Sequence, residues 1–166
     1  GNYKSDVIFV GEAPGKNEDM KGEPFIGIAG NKLSAALESA GITRDQVYIT
    51  NIVKCRPPNN RVPTTIERNT CQNYLKKEIE IIKPKIICIL GNTAFNSLLD
   101  GKEITKFRGK IVRKNNQLYF LTIHPAATIY NQKLISVLKK DIKKLFKLIK
   151  KIKEGEKIKI NIEYAS

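Results

Sequence analysis

Four short stretches of this sequence gather residue types that can do chemistry. Gly11-Glu12-Ala13-Pro14-Gly15, with Glu18 and Asp19 just beyond, sets acids in a tight turn directly after an apolar run. Gly22-Glu23-Pro24-Phe25-Ile26-Gly27 places one aromatic among turn residues. Asn51 heads Asn51-Ile52-Val53-Lys54-Cys55-Arg56-Pro57-Pro58-Asn59-Asn60-Arg61, and His124, the sole histidine, heads His124-Pro125-Ala126-Ala127. Glu12 and Glu18 are acids at a strand end in a chain of formal charge +14, and so are candidates for catalytic work. His124 sits at a strand end beside a proline-fixed turn, where it is a candidate functional residue or, alternatively, a satisfied structural one.

The other two positions suit a base as ligand. Phe25 can stack on an unpaired base, the commonest protein contact with one, or pack into the core. Asn51 offers a donor and an acceptor on one amide, a pair that can read the Watson–Crick edge of a pyrimidine or cap a turn. One histidine alone does not make a zinc site. No Gly-x-Ser-x-Gly elbow, Walker A loop or Gly-x-Gly-x-x-Gly fingerprint occurs, so nucleotide-cofactor chemistry has little support.

Strands and helices must alternate to bring these loops together. Short apolar runs at 7–10, 47–50, 86–90 and 119–123 predict strands, with helical stretches at about 31–40, 65–82 and 93–99 between them. Thr64 stands three residues before Glu67, a capping-box spacing that starts the second helix. Residues 111–113 predict an extra short strand in a hairpin with 118–121. The last helix, about 132–153, carries apolar residues at three- and four-residue steps on one face and lysines on the other. The fold class that follows is a three-layer α/β/α domain with a central, mainly parallel, four-stranded sheet. In such sheets ligands bind beyond the carboxyl ends of the strands, where three of the four unusual stretches begin and the Phe25 stretch follows. Gly91-Asn92-Thr93, after the remaining strand, reads as an ordinary helix cap.

Thirty Lys+Arg against 16 Asp+Glu imply a polyanionic partner, most simply nucleic acid, with lysine enrichment in a heat-adapted source as the alternative. The 166 residues are expected to form one domain, with 154–166 as a tail. No run approaches the roughly 20 apolar residues of a membrane span, and no signal-peptide pattern opens the chain, so a cytoplasmic protein is expected. Cys88 lies in an apolar strand and reads as a core residue. Cys55 and Cys71 sit in polar, irregular sequence, and an odd cysteine count argues against a disulfide framework.

Taken together, Gly-Glu-Ala-Pro-Gly-x-x-Glu-Asp, Gly-x-Pro-Phe-Ile-Gly, Asn-x-x-Lys-Cys-Arg-Pro-Pro-x-Asn-Arg and His-Pro-Ala-Ala resemble the family 4 uracil-DNA glycosylases of thermophilic bacteria and archaea. The resemblance spans residues 7 to about 150, in order and with matching spacing. It implies an enzyme that flips uracil out of DNA and hydrolyses its N-glycosidic bond, leaving an abasic site for base excision repair. By that resemblance Phe25 stacks on uracil, Asn51 pairs with N3–H and O4, and the Ala13 backbone contacts the base. Glu18 crowds C5 against thymine, and His124 donates to O2.

Related enzymes hold the attacking water with an Asp or Asn where this chain has Ala13, which leaves Glu12 or Glu18 to orient it. The resemblance further implies a [4Fe–4S] cluster with Cys55 and Cys71 as two of its four ligands. The other two cysteines are then expected in a segment ahead of Gly1. Ile129 or Tyr130 would fill the gap left by the flipped base, and Arg56 and Arg61 would contact phosphates. The expected partner is uracil-containing DNA bound by a monomer, with a sliding clamp as a further candidate. The rival reading is a basic nucleic-acid-binding module of the same fold without activity.

Overall fold

Val7–Gly11 is apolar or glycine at every position, the pattern of a strand covered on both faces, and it forms β1 in the interior of the sheet. The computed structural model describes residues 1–164. After β1 come α1 (Lys16–Lys21), α2 (Ile28–Ser39), β2 (Tyr48–Asn51), α3 (Thr65–Ile82), β3 (Ile86–Leu90) and α4 (Asn92–Leu99). The chain continues through β4 (Ile111–Lys114), β5 (Gln117–Thr122), α5 (Ala127–Tyr130), α6 (Leu134–Lys153) and β6 (Ile162–Glu163). The sheet order is β2-β1-β3-β5-β4-β6. The four strands β2, β1, β3 and β5 run parallel, β4 is antiparallel to β5, and β6 pairs parallel with β4.

Successive strand residues alternate between two helical layers. Val7 and Phe9 pack with Leu33 and Leu37 of α2 and with Leu138, Ile142 and Leu145 of α6. Ile8 and Val10 pack with Leu75 and Ile82 of α3 and with Phe95 and Leu99 of α4. Cys88 is fully buried in the first of these layers, as its apolar neighbours predict, and burial pushes its thiol pKa well up. The capping box at α3 forms in full: Glu67 N–H donates to Thr64 Oγ1 at 3.1 Å, and Thr64 N–H donates to Glu67 Oε1 at 2.9 Å.

The sheet has six strands where four were expected. One of the further two is β4, the short hairpin strand expected at 111–113, whose turn to β5 uses Asn115 and Asn116, both at positive φ, as a two-residue hairpin requires. The other is β6. Residues 154–164 do not hang free as a tail: Asn161 Oδ1 accepts from Ile111 N–H at 2.8 Å, and Tyr164 OH donates to the Leu99 carbonyl at 2.8 Å. Ala165 and Ser166, the end of the expected tail, lie outside the described residues. Among the described residues no helix is long and apolar enough to cross a membrane.

Candidate active site

The carboxyl ends of the four parallel strands each deliver one element of a single site. β1 ends at Gly11, and the register sets Asn51, the last residue of β2, directly beside it. A Cβ on Gly11 would lie 2.4 Å from Phe25 Cζ and 2.7 Å from Asn51 Oδ1, so only glycine lets both side chains close over the strand end. The Phe25 ring in turn stacks on His124, which follows β5, with centroids 5.4 Å apart and planes at 30°. β3 ends before Gly91, whose φ is +93° and whose added Cβ would come within 2.8 Å of His124 Cβ. The expected ordinary cap is therefore a close-approach glycine beneath the histidine.

Asn51 is 4% exposed, and its Oδ1 is buried without a hydrogen-bond partner. A buried acceptor left unmatched costs about 1–3 kcal/mol, so an N–H brought to this position would be favoured. Its main-chain oxygen is engaged: Lys54 Nζ donates to it at 2.8 Å and pairs with Glu78 of α3. Asn51 and Glu18 line one side of a cleft of about 270 Å³ with Pro14, Pro24 and Lys54. A cavity of about 740 Å³ lies elsewhere, at the opposite ends of the strands between Val7, Val47 and Ile149.

His124 Nδ1 accepts from the Ala126 N–H at 3.0 Å. Burial lowers the His124 pKa to about 4, which makes the ring neutral at physiological pH. A neutral imidazole that accepts at Nδ1 carries its proton at Nε2 and is a donor there.

The two acids have different surroundings. Glu18 accepts from three main-chain amides: Gly15 N–H at 3.0 Å on Oε1, and Ile26 N–H at 3.0 Å and Gly27 N–H at 2.5 Å on Oε2. Glu12 lies on the α3–α4 side of β1. Burial raises its pKa, against the lowering effects of a hydrogen bond from Thr93 and the charge of Arg68. Ala13 is half-buried against the same layer.

The residues expected at DNA are spread around this centre. Ile129 and Tyr130 form the end of α5, five and six residues after His124, and are 39% and 89% exposed. Arg61 is exposed and pairs with Glu67 at 2.6 Å, while Arg56 is half-buried in the loop after β2. That pairing, with the Thr64 amide, holds the Glu67 carboxyl at about 2. Cys55 is exposed, and Cys71 is buried with its Sγ accepting from Lys54 N–H at 3.5 Å, one residue away from Cys55. Among the described residues no three Cys, His, Asp or Glu side chains form a metal-binding group. These two thiols do not by themselves fit the four-thiolate requirement of an iron–sulfur cluster. Arg44, whose guanidinium donates to the Pro24 and Phe25 carbonyls, and Gly91 belong to this arrangement without having been among the candidates. Only the glycine left a signal, its position immediately after a strand.

A mostly parallel sheet flanked by helices, with an aromatic ring, an unmatched amide and a neutral histidine gathered at its carboxyl edge, is the arrangement of an α/β enzyme. Residues 1–150 match the family model described as the uracil DNA glycosylase superfamily. The chain is 46% identical to the type-4 uracil-DNA glycosylase of Sulfurisphaera tokodaii, over 89% of this chain and 72% of that protein. It is 44% identical to the type-4 uracil-DNA glycosylase of Archaeoglobus fulgidus, over 89% of this chain and 79% of the relative. It is also 44% identical to that of Thermotoga maritima, over 91% and 81%. The chain belongs to the uracil-DNA glycosylase superfamily, in its type-4 branch.

Proposed function

We propose that this protein excises uracil from DNA by hydrolysing the N-glycosidic bond, leaving an abasic site. The observation that carries the reading is the buried Asn51 Oδ1, an acceptor without a donor beside the Phe25 ring. Uracil N3–H supplies such a donor, and uracil O4 accepts from the other end of the same amide. Cytosine presents the opposite pattern on that edge and leaves both amide groups mismatched, which is how a site built to hydrogen-bond one base rejects another.

The reaction leaves an oxocarbenium-like sugar and a uracil anion, with charge developing on O2. His124 Nε2–H is the donor aimed at that oxygen, and a preset donor of this kind contributes about 2.7–4 kcal/mol in other enzymes. Its neutrality helps. The Ala126 amide fixes the tautomer in advance, so no proton must be rearranged as charge builds. Glu18 is committed to the main chain around Phe25, which leaves Glu12 as the carboxylate to orient the attacking water. Arg56 and Arg61 contact phosphates, and Ile129 and Tyr130 occupy the space in the duplex vacated by the flipped base.

The test is incubation with a duplex carrying one uracil, followed by alkali and separation of the strands. Breakage at the uracil is expected, with none at thymine or cytosine. Asn51→Asp should lose most uracil excision, because the amide donor is replaced by an acceptor. An intact strand with wild-type protein would reject the reading and favour a binding module without activity.

A further inference from the structure

Phe25 stands at φ +53°, a left-handed conformation that costs a bulky residue of this kind roughly 1–2 kcal/mol. Such a residue persists only when its surroundings over-determine it. Two charged side chains do so here, from opposite sides of the peptide. Arg44, in the short turn Arg44–Gln46 before β2, donates from Nη1 to the Phe25 carbonyl and from Nη2 to the Pro24 carbonyl at 2.7 Å. Glu18 accepts from the next two amides, Ile26 and Gly27. Gly30 of α2 completes the fit, since a Cβ there would come within 1.7 Å of the Phe25 oxygen.

A guanidinium fork thus holds two successive carbonyls while a carboxylate holds the two amides that follow. We infer that Arg44 is a positioning residue for base stacking: together with Glu18, it fixes the strained Phe25 backbone so that the ring is preset beside Asn51 and His124. The inference rests on the reading of this site as a uracil pocket. It also gives Glu18 a task through the main chain. A lysine at position 44 keeps the charge but is a single point donor and cannot span two carbonyls as the fork does.

The test is a double-mutant cycle on a uracil-containing duplex with wild type, Phe25→Ala, Arg44→Lys, Arg44→Ala and the two double variants. Each is measured for kcat/KM, for inhibition by free uracil and for thermal midpoint. Arg44→Lys and Arg44→Ala should each lower kcat/KM by about 5- to 150-fold, the range of one lost base–aromatic stack. In the Phe25→Ala background the same changes should cost roughly twofold or less, because the ring they position is gone. Inhibition by free uracil should weaken in parallel. Losses that multiply in the double variants, or an Arg44→Lys enzyme equal to wild type, would overturn the inference. Arg44→Lys carries the test alone if Arg44→Ala does not fold. A wild-type protein that leaves no alkali-labile sites would fail the uracil reading itself, and the inference with it.

Discussion

At the scale of single residues, the hydrogen bond from the Ala126 amide to His124 Nδ1 has a consequence for pH. Protonating the ring would turn that acceptor into a donor and break the bond, and burial already lowers the pKa to about 4. The unfolded ring takes up its proton near 6.5, so between about 6.5 and 4 the unfolded state binds more protons. Stability therefore falls as pH is lowered through that window and gains nothing from His124 above it. Activity should behave differently. It should show no loss that follows titration of the histidine, since the ring remains neutral, and its acid limb should follow Glu12, whose pKa burial raises. A kcat profile with an acid midpoint at 6.5 would count against the neutral donor. His124→Ala should lower single-turnover cleavage by about 10²–10³ while DNA affinity is retained. His124, Phe25 and Asn51 were legible as candidates because they follow predicted strands or turns, and the fold brings the three side chains together. Arg44 was not, because it acts on main-chain carbonyls far away in sequence, and such contacts leave no motif.

Between elements, one buried acid joins the helix layer to the strand that carries His124. Asp141 of α6 is 2% exposed, accepts from Arg108 Nε at 3.1 Å and Nη2 at 3.0 Å, and accepts from Thr122 Oγ1 at 2.8 Å. Thr122 is the last residue of β5, two before His124. Removing one member of a buried pair costs about 3–5 kcal/mol, and because Arg108 retains some solvent the lower figure applies. Asp141→Ala should thus lose about 3 kcal/mol, which for a chain of this size is a fall of about 6–12 °C in Tm. A change within a degree or two by calorimetry would show that the network is not structural. The elements themselves were mostly readable. The Thr64–Glu67 capping box located the start of α3, the 3.6-residue period located α6, and unbroken apolar runs located the parallel strands. β6 was not readable, because a two-residue strand is made by its partner and by Asn161 rather than by its own pattern. Asp141 was hidden too, an acid on the apolar stripe of a helix otherwise rich in charge.

For the whole molecule, the question is which part of the +14 charge holds DNA. Lys143, Lys147 and Lys150 of α6 border the cavity at the amino ends of the strands, near Ser5 and Val7. The site lies at the carboxyl ends, beyond the five residues of β1, and a strand of that length spans about 15 Å. The Debye length at physiological salt is about 8 Å, so those lysines are largely screened from phosphates gripped around His124. On the proposed function they should raise the rate of capture at low salt, as a diffuse positive field does, without adding contacts in the bound complex. The phosphate contacts proposed for Arg56 and Arg61 would be local and would release counterions. The slope of log K against log salt should therefore become shallower by about 0.9 when Arg56 is replaced by alanine. The Lys147→Ala, Lys150→Ala double variant should leave that slope unchanged and slow association only below about 50 mM salt. Fluorescence anisotropy with a uracil duplex and the His124→Ala protein measures both quantities without turnover. A slope that follows the α6 lysines and ignores Arg56 would place the DNA on the helix face and away from the strand ends.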